Sequence, residues 1–410
     1  MGYTEYELTL PVGYVDEAGS DGAELRRKLA AKSALSEFSF RILHKSLDAR
    51  HKQRIVWRYR LGVSSPELKT GNPPKPVTLE HPRCSGQRHV VVVGTGPAGL
   101  FAALYLLRCG VHVTILERGD QVEKRRAAIL AFERGGCFDA KNNYAFGEGG
   151  AGTFSDGKLS SRTKGINAER DYIFKEFIAA GAPEEIAYLT HPHLGSDHLF
   201  AMTGRLRSRL LDLGATIRFS TAATDLHTGG SCVKALETAQ GRLEADAFLF
   251  AIGHSAFDTN RMLLSRGVPF RPKNFALGFR AEHRQEIINL AQWGHKSLPG
   301  VKAAEYRLTC QVGETGVYSF CMCPGGTVVP AMATADSAVV NGKSDYARDG
   351  LWANAALVAG INLEALLGQP VSAASALDWL EALERRYKAV SGDFRAPAMT
   401  IAEFLGGSAA

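Results

Sequence analysis

The sequence predicts an α/β protein with a parallel sheet at its centre, preceded by a small α+β module. Residues 89–117 run as apolar strand, glycine-rich turn, helix and second strand, the order typical of a parallel α/β unit. Residues 1–70 show their own strand and helix patterns, and a proline-rich segment separates them from the rest. The length of 410 residues exceeds one ordinary domain, so we expect two or three.

The first predicted domain, residues 1–70, combines two strands and a helix. The strand-like segments are TEYELTLPV and RIVWRYRLGV, and the helix-like segment is AELRRKLAAKSAL. Between them lies FRILHKSLDARHKQ, which we interpret as a solvated basic face. A docking surface for an acidic partner or for RNA is the alternative. Residues 71–88 hold four prolines and are predicted to form a semi-rigid linker.

The strongest motif is HVVVVGTGPAGLFAALYLLRCGVHVTILERGD, which begins at His89. Gly94 permits a tight turn, Gly96 lets the backbone approach a pyrophosphate, and Gly99 lets the next helix pack close to the strand. Free amides at the start of that helix favour a phosphate. Glu117 lies 23 residues after Gly94, near the spacing of a carboxylate that binds ribose hydroxyls. The segment therefore predicts a Rossmann-type βαβ unit that binds a dinucleotide.

A second glycine-rich stretch, FGEGGAG, repeats the G-x-G-x-x-G spacing with Gly147, Gly149 and Gly152. No apolar strand precedes it and no apolar helix follows it, so we do not interpret it as a second nucleotide site. Glycine permits close backbone approach, which favours a loop that runs along a flat ligand. An ordinary surface loop is the alternative.

These motifs together resemble known FAD proteins. G-x-G-P-A-G-L followed by E-R-G resembles the glutathione-reductase-like FAD superfamily, and LEADAFLFAIG resembles its second conserved strand. Several longer segments resemble a group of bacterial FAD-dependent dehydrogenases: NNYAFGEGGAGTFSDGKLSSR, HPHLGSDHL, VYSFCMCPGGTVVPA and SLDAR at Ser46–Arg50. The resemblance implies a Rossmann-like, three-layer ββα FAD-binding domain formed by residues 89–165 and 196–262. It also implies a mixed α+β substrate or cap domain at residues 263–410.

The resemblance implies FAD as the cofactor and places its contacts in all three motifs. Arg118 would lie beside the adenosine. The basic run Lys124–Arg126 is interpreted as a helix surface, with contact to phosphate as the alternative. The residues expected to contact FAD are Gly94, Gly96, Pro97, Ala98, Gly99, Glu117, Arg118, Arg125, Gly149, Gly150, Thr153, Ser155, Asp156, Lys158, Ala251 and Gly253. No catalytic residue is assigned.

The chain departs from the family pattern after Met399. The resemblance implies a further glycine-rich motif of the kind G-E-G-A-G-x-x-G-G-I, followed by a helix that closes over the pyrophosphate and flavin. No such motif follows Met399 here. We therefore expect a C-terminally shortened member that lacks the C-terminal FAD segment and holds FAD less tightly.

Two smaller groups invite a chemical interpretation. Cys321 and Cys323 lie in a strand-like run that would place both on one side, about 6.6 Å apart along the strand. We expect small core or flavin-facing thiols, with a redox pair as the alternative. In HPHLGSDH, Ser196 or Asp197 is expected to cap a helix, and the alternative is a proton relay of His193 and Asp197 near the flavin. No spacing matches a zinc site, so we expect no metal.

Composition limits the remaining classes. The formal net charge of +6 is mild for this length, so we do not expect nucleic-acid binding. The seven cysteines are irregularly spaced and indicate no disulfide framework. The first residues lack an apolar signal, and no apolar run is long enough to span a membrane. We expect a cytoplasmic protein without membrane contact.

The predicted function is that of an FAD-dependent oxidoreductase, a dehydrogenase that uses bound flavin for hydride or electron transfer on an unknown small molecule. Any NAD(P)H would dock transiently, because the sequence contains no separate nicotinamide domain. One alternative is a flavoprotein that acts on RNA or within a complex through the basic N-terminal module. Another is a non-catalytic remnant. The sequence indicates no particular protein partner.

Overall fold

The computed structural model describes residues 1–14, 22–161, 163–230 and 232–406. The elements of its first part are β1 (Gly2–Pro11), α1 (Gly22–Ser33), β2 (Ser39–Asp48) and β3 (Val56–Ser65). The strands form an antiparallel sheet in the order β1-β3-β2, and α1 packs on it. Apolar residues of α1 and of two strands form a core of their own: Leu10, Leu25, Leu29, Tyr59, Leu61 and Val63.

The parallel sheet begins after residues 71–88, which contain no helix or strand. The elements of this part are β4 (His89–Val93), α2 (Pro97–Arg108), β5 (His112–Leu116), α3 (Val122–Glu133), α4 (Asn167–Ala179), α5 (Gly195–Asp212), β6 (Thr216–Arg218), β7 (Ala223–Gly229), β8 (Cys232–Thr238), β9 (Leu243–Glu244), β10 (Ala247–Phe250) and α6 (Phe257–Ser265). The sheet order is β10-β4-β5-β6, and every neighbouring pair is parallel. β7, β8 and β9 form a separate antiparallel sheet.

Both faces of the parallel sheet are covered, which explains why β4 and β10 are almost entirely apolar. Val92 and Ile115 pack with residues of α2 and α5 on one face. Val91 and Leu116 pack with residues of β7, β8 and α6 on the other face. The fold is thus mixed α/β with a central parallel sheet, as the sequence predicts, and it brings the ends of β4 and β5 to one edge.

The elements of the last part of the chain are β11 (Phe275–Arg284), α7 (Gln285–Trp293), β12 (Thr309–Val312), β13 (Thr315–Cys323), β14 (Thr327–Pro330), β15 (Val340–Lys343), β16 (Trp352–Ile361), α8 (Leu363–Leu367), α9 (Ala373–Ser391) and α10 (Ile401–Gly406). Four of the strands form an antiparallel sheet in the order β11-β16-β13-β12. β14 and β15 form a hairpin-like pair.

The strand β16 occupies a segment whose pattern by itself favours a helix. The pattern ANAALVAGINLEALLG indicates a helix at residues 353–368, but most of it is β16, and only α8 is helical. β16 lies between β11 and β13 and pairs with both. An uninterrupted apolar run fits a buried central strand as well as a helix, and tertiary pairing overrides the helix preference of alanine here.

The basic stretch of the N-terminal module contacts the larger part of the chain. Lys45 N donates to Tyr188 O at 2.8 Å, and Thr190 N donates to Lys45 O at 3.1 Å. Thr190 Oγ1 also lies 3.0 Å from His44 Nε2. Part of this stretch is therefore an internal contact. None of the helices in the described ranges is long and apolar enough to cross a membrane.

Candidate functional site

The candidate site lies where β4 ends in a glycine-rich turn. Gly94 has a φ of +108°, a left-handed value that favours glycine, and a Cβ there would lie 2.5 Å from Ala251 O. A Cβ on Gly99 would lie 1.9 Å from Gly94 O. Larger residues would therefore push α2 and β10 away from the turn. These two glycines set its shape.

Gly96 has open space where its side chain would point. The nearest atom to a Cβ on Gly96 would be Gly150 Cα, at 4.0 Å. Gly96 is also the N-cap of α2, no side chain caps this helix, and Pro97 occupies the first turn. Because proline has no N–H, the amides of Ala98 and Gly99 are those that the helix N-terminus presents to an anion.

The second glycine-rich loop lies against this turn through backbone contacts. Gly149 N donates to Thr95 O at 3.1 Å, and a Cβ on Gly150 would lie 2.9 Å from Gly96 Cα. A Cβ on Gly149 would collide with Thr153 Oγ1 at 1.9 Å, so the loop closes tightly on the buried threonine. The two glycine-rich segments thus form one backbone surface at the edge of the parallel sheet.

Glu117, at the end of β5, is buried and tied to the first turn. Its Oε2 accepts hydrogen bonds from Thr95 N at 3.0 Å and Thr95 Oγ1 at 2.5 Å. Its Oε1 accepts from Gly119 N at 2.9 Å. Each carboxylate oxygen has two lone pairs, so these bonds leave acceptor capacity for a ribose hydroxyl. The ribose contact stays a prediction.

Arg125 is fully buried inside the second loop. Its guanidinium donates to backbone carbonyl oxygens of that loop, at 2.7–3.3 Å, on Asn143, Tyr144, Gly147, Glu148 and Gly150. Burial lowers the pKa of Arg125 to about 10, so the side chain stays charged at neutral pH. The guanidinium thus shapes the loop from within, which differs from the expected position beside a cofactor phosphate. Contact with phosphate stays a prediction.

Arg118 joins the end of β5 to the start of α6. Its Nη2 donates to Asp258 Oδ1 at 2.9 Å and to Thr259 Oγ1 at 2.8 Å. The guanidinium also lies over the Phe146 ring, 4.4 Å from its centroid. Gly253, in the segment between β10 and α6, has a φ of +73° and open space around its Cα. The contact of Arg118 with the adenosine stays a prediction.

Asp156 is the centre of a buried ion cluster. Arg348 donates to its two oxygens, through Nε at 3.0 Å and Nη2 at 2.6 Å, and Lys158 Nζ lies 2.6 Å from Oδ2. Ser344 Oγ also donates to Asp156. Burial alone would raise the pKa of Asp156, but Arg348 and Lys158 lower it to about 2. Ser155 closes the adjacent turn, with its Oγ donating to Gly152 O at 2.7 Å.

No sequence pattern indicates Arg348 or Ser344, because their partner Asp156 is distant in the chain. The segment at residues 191–198 extends the same cluster. The expected helix cap is wrong: α5 has Leu194 as its N-cap, without a side-chain bond. Instead Ser196 Oγ donates to Asp345 Oδ1 at 2.5 Å.

His193 is the buried histidine of this region. Its Nε2 lies 3.1 Å from Tyr346 O, and its ring stacks on Tyr346. Burial, with Arg348 and Lys302 nearby, lowers the pKa of His193 to about 4, so the ring is neutral at pH 7. A carbonyl oxygen only accepts, so Nε2 carries the proton and Nδ1 is left as an acceptor. The proton-relay role stays a prediction.

The segment with Cys321 and Cys323 is not a regular strand. β13 pairs with β16 at Phe320↔Ala356 and next at Cys323↔Asn354, so β13 holds one extra residue, a bulge. Cys321 has a φ of +48°. The expected regular strand is wrong at this point, because the bulge interrupts the alternation of side chains. Cys321 is a partly exposed free thiol, and Cys323 is a buried one.

The comparisons with known proteins agree with the nucleotide-type surface. Residues 274–410 match the family model of the FAD-dependent protein, C-terminal domain-like, and residues 87–133 match an FAD binding domain. An uncharacterized protein of Clostridium beijerinckii is 35% identical over 404 residues, which cover 93% of this chain and 74% of the relative. The chain belongs to this family of FAD-dependent proteins. FAD is its cofactor, as the sequence predicts.

Solved structures are similar over part of their length. The crystal structure of FqzB is 15% identical with a TM-score of 0.35, and the match covers 76% of this FAD-dependent chain and 60% of FqzB. CtdE in complex with FAD is 12% identical with a TM-score of 0.31, covering 67% of this chain and 59% of CtdE. The chain thus spans less than two thirds of either protein.

The glycine-lined surface fits the ADP half of FAD. Gly96 leaves the space that a pyrophosphate needs, and the first turn of α2 directs amides towards it. Glu117 stands at the end of the neighbouring strand. Within the described ranges, no three His, Cys, Asp or Glu side chains are grouped to hold a metal ion.

Proposed function

We propose that this chain is a dehydrogenase that uses FAD for hydride or electron transfer on a small-molecule substrate. The proposal rests above all on the backbone contact of Gly150 with Gly96 at the N-terminus of α2. That contact places two glycine-rich segments where one extended ligand would touch both. When bound, the flavin supplies the redox chemistry, and the protein binds and orients it and the substrate.

The first turn would hold the phosphates. In this proposal the amides of Ala98 and Gly99 donate to the pyrophosphate, whose negative charge the N-terminal end of the α2 dipole favours. Glu117 accepts from the ribose hydroxyls while it keeps Thr95 in place. Both roles need the buried, aligned geometry that the strand ends provide.

The second loop would lie along the flavin. Arg125 holds this loop by its carbonyl oxygens, so the amide side of the loop faces away from the guanidinium. Asp156 and Lys158 follow directly and would supply the charged groups nearest the ring. The Asp156–Arg348 pair ties this end of the loop to the segment before β16, so the substrate part of the chain and the cofactor loop would move together.

His193 is the residue that we propose to accept a proton. Its Nδ1 is an acceptor at pH 7, since Nε2 faces Tyr346 O and the pKa is depressed. The backbones of Lys158 and His193 pair in an isolated antiparallel bridge, so His193 lies beside the second loop. A nicotinamide cofactor would serve as a transient donor. No observation favours the RNA alternative, since His44 and Lys45 of the basic stretch contact residues 188–190.

The experiment is an anaerobic screen of small molecules against the FAD-loaded protein. Bleaching of the flavin absorbance by one compound class supports a dehydrogenase, and a His193→Gln variant should bleach more slowly with the same FAD content. A protein that binds FAD but whose flavin no organic reductant or NAD(P)H bleaches would contradict the proposed activity and leave the cofactor assignment intact.

A further inference from the structure

Cys321 and Cys323 are brought together by an unusual backbone. β13 has a bulge, and Cys321 within it has a φ of +48°. The side chains of Cys321 and Cys323 therefore do not follow the regular alternation of a flat strand. A non-glycine residue in the left-handed region is strained, and such strain concentrates at functional sites. Cys323 Sγ lies 3.5 Å from Cys321 O.

Two cations hold the peptide that joins the cysteines. Lys158 Nζ donates to Met322 O, and Arg280 Nη2 donates to Cys321 O at 2.8 Å. Arg280 Nη2 also lies 3.6 Å from Cys323 Sγ. Positive charge close to a thiol favours the thiolate, which is the form that reacts.

We propose that Cys321 and Cys323 form a dithiol site that reduces low-molecular-weight disulfides by thiol–disulfide exchange. Cys321 is the attacking thiol, because it is the partly exposed member of the pair. Cys323 is the resolving thiol, because it is buried.

The pKa values of the two thiols shift in opposite directions, and both shifts agree with these roles. The hydrogen bond from Cys323 lowers the pKa of the Cys321 thiol despite its burial, with Lys158 and Arg280 adding to the effect. The same hydrogen bond, together with burial, raises the pKa of Cys323. The pair therefore loses one proton readily and retains the second.

The reaction balances without any further oxidant. The Cys321 thiolate attacks one sulfur of the disulfide, forms a mixed disulfide and releases the other half as a thiolate. Cys323 then gives up its proton and attacks Cys321 Sγ, which forms the Cys321–Cys323 bond and releases the second thiolate. Two electrons pass from the dithiol to the substrate. A single turnover needs no flavin, so this proposal stands independently of the proposed dehydrogenase activity.

The test uses the full reduced chain with glutathione disulfide as the probe, and peptide mass spectrometry as the readout. The expected product is a bond between Cys321 and Cys323 in the wild type. Cys323→Ser should stop at a glutathione adduct on Cys321, and Cys321→Ser should give no adduct on Cys323. Exposed Cys310 is the internal control. Cys321 should react with iodoacetamide at pH 7 about tenfold faster than Cys310.

Replacement of the cation gives a second readout. Lys158→Met should slow alkylation of Cys321 by iodoacetamide, and Lys158→Arg should restore most of the rate. Circular dichroism identifies any variant that fails to fold. The comparison of the Cys321 and Cys310 alkylation rates uses the wild type alone, so it holds even if a variant does not fold. Alkylation of Cys321 no faster than that of Cys310, or no Cys321–Cys323 bond after exposure to glutathione disulfide, would overturn the proposal.

Discussion

Asp156 and Arg348 form a buried, two-pronged ion pair across 192 residues of sequence. Asp156 belongs to the second glycine-rich loop, and Arg348 lies just before β16 in the other sheet. Both side chains are buried. This pair therefore couples the cofactor-binding part of the chain to the part proposed to hold the substrate.

Asp156→Asn should destabilise the protein by about 3–5 kcal/mol, because it removes the countercharge closest to the buried guanidinium of Arg348. Urea unfolding measures the change. Asp171→Asn is the matched control, since Asp171 pairs with Arg170 on the surface, and it should change stability by less than about 1 kcal/mol. Equal effects of the two substitutions would show that the buried pair does not hold the two parts together.

Glu117→Ala should weaken FAD binding by about 1.5–3 kcal/mol, because it removes a charged acceptor from the ribose and loosens Thr95. Titration with FAD, followed by quenching of flavin fluorescence, gives the dissociation constant. Glu169→Ala, at an exposed position in the first turn of α4, serves as control. An unchanged dissociation constant for Glu117→Ala would refute the ribose assignment.

Arg125→Met should loosen the second loop, because five carbonyl oxygens lose their shared donor. Faster amide hydrogen exchange at residues 143–150 is the expected result, with weaker FAD binding as its consequence. Arg126→Met, on the same helix but stacked on Phe200, should leave that exchange unchanged. Normal protection of residues 143–150 in Arg125→Met would contradict the loop-shaping role.

The pH dependence of stability should reveal two buried groups of opposite sign. Burial raises the pKa of Glu148 from 4.5 to about 7, so its contribution to stability increases as the pH falls from 7 to 4.5. Burial lowers the pKa of His193 from 6.5 to about 4, so its contribution is lost as the pH falls through that range. Each effect amounts to about 3 kcal/mol, and they largely offset each other in the wild type.

Single substitutions separate the two contributions. Relative to the wild type, the stability of His193→Gln should rise as the pH falls from 7 to 4.5, whereas the stability of Glu148→Gln should fall over the same range. Thermal unfolding at several pH values measures both. Parallel pH profiles for the two variants would show that these groups do not titrate as their burial requires.

Local patterns predicted much of this molecule. The βαβ unit from His89 to Glu117 was recoverable because its strand, turn, helix and carboxylate lie within one short stretch. β16 was missed because an alanine-rich apolar run becomes a strand only through its two neighbours. The role of Arg125 and the partner of Asp156 depend on long-range packing, which no spacing along the chain encodes. The bulge at Cys321 likewise depends on pairing with β16.

FAD binding by Gly96→Val tests most directly whether the pyrophosphate of FAD lies at Gly96. A Cβ at this position meets open space and the backbone is not left-handed, so the variant should fold, yet its side chain would fill the room proposed for the pyrophosphate. Gly360→Val is the control, because position 360 is equally open and lies in β16. Absorbance of the two folded, FAD-incubated proteins after desalting gives the answer. We expect a colourless Gly96→Val and a yellow Gly360→Val, and a yellow Gly96→Val would refute the pyrophosphate position.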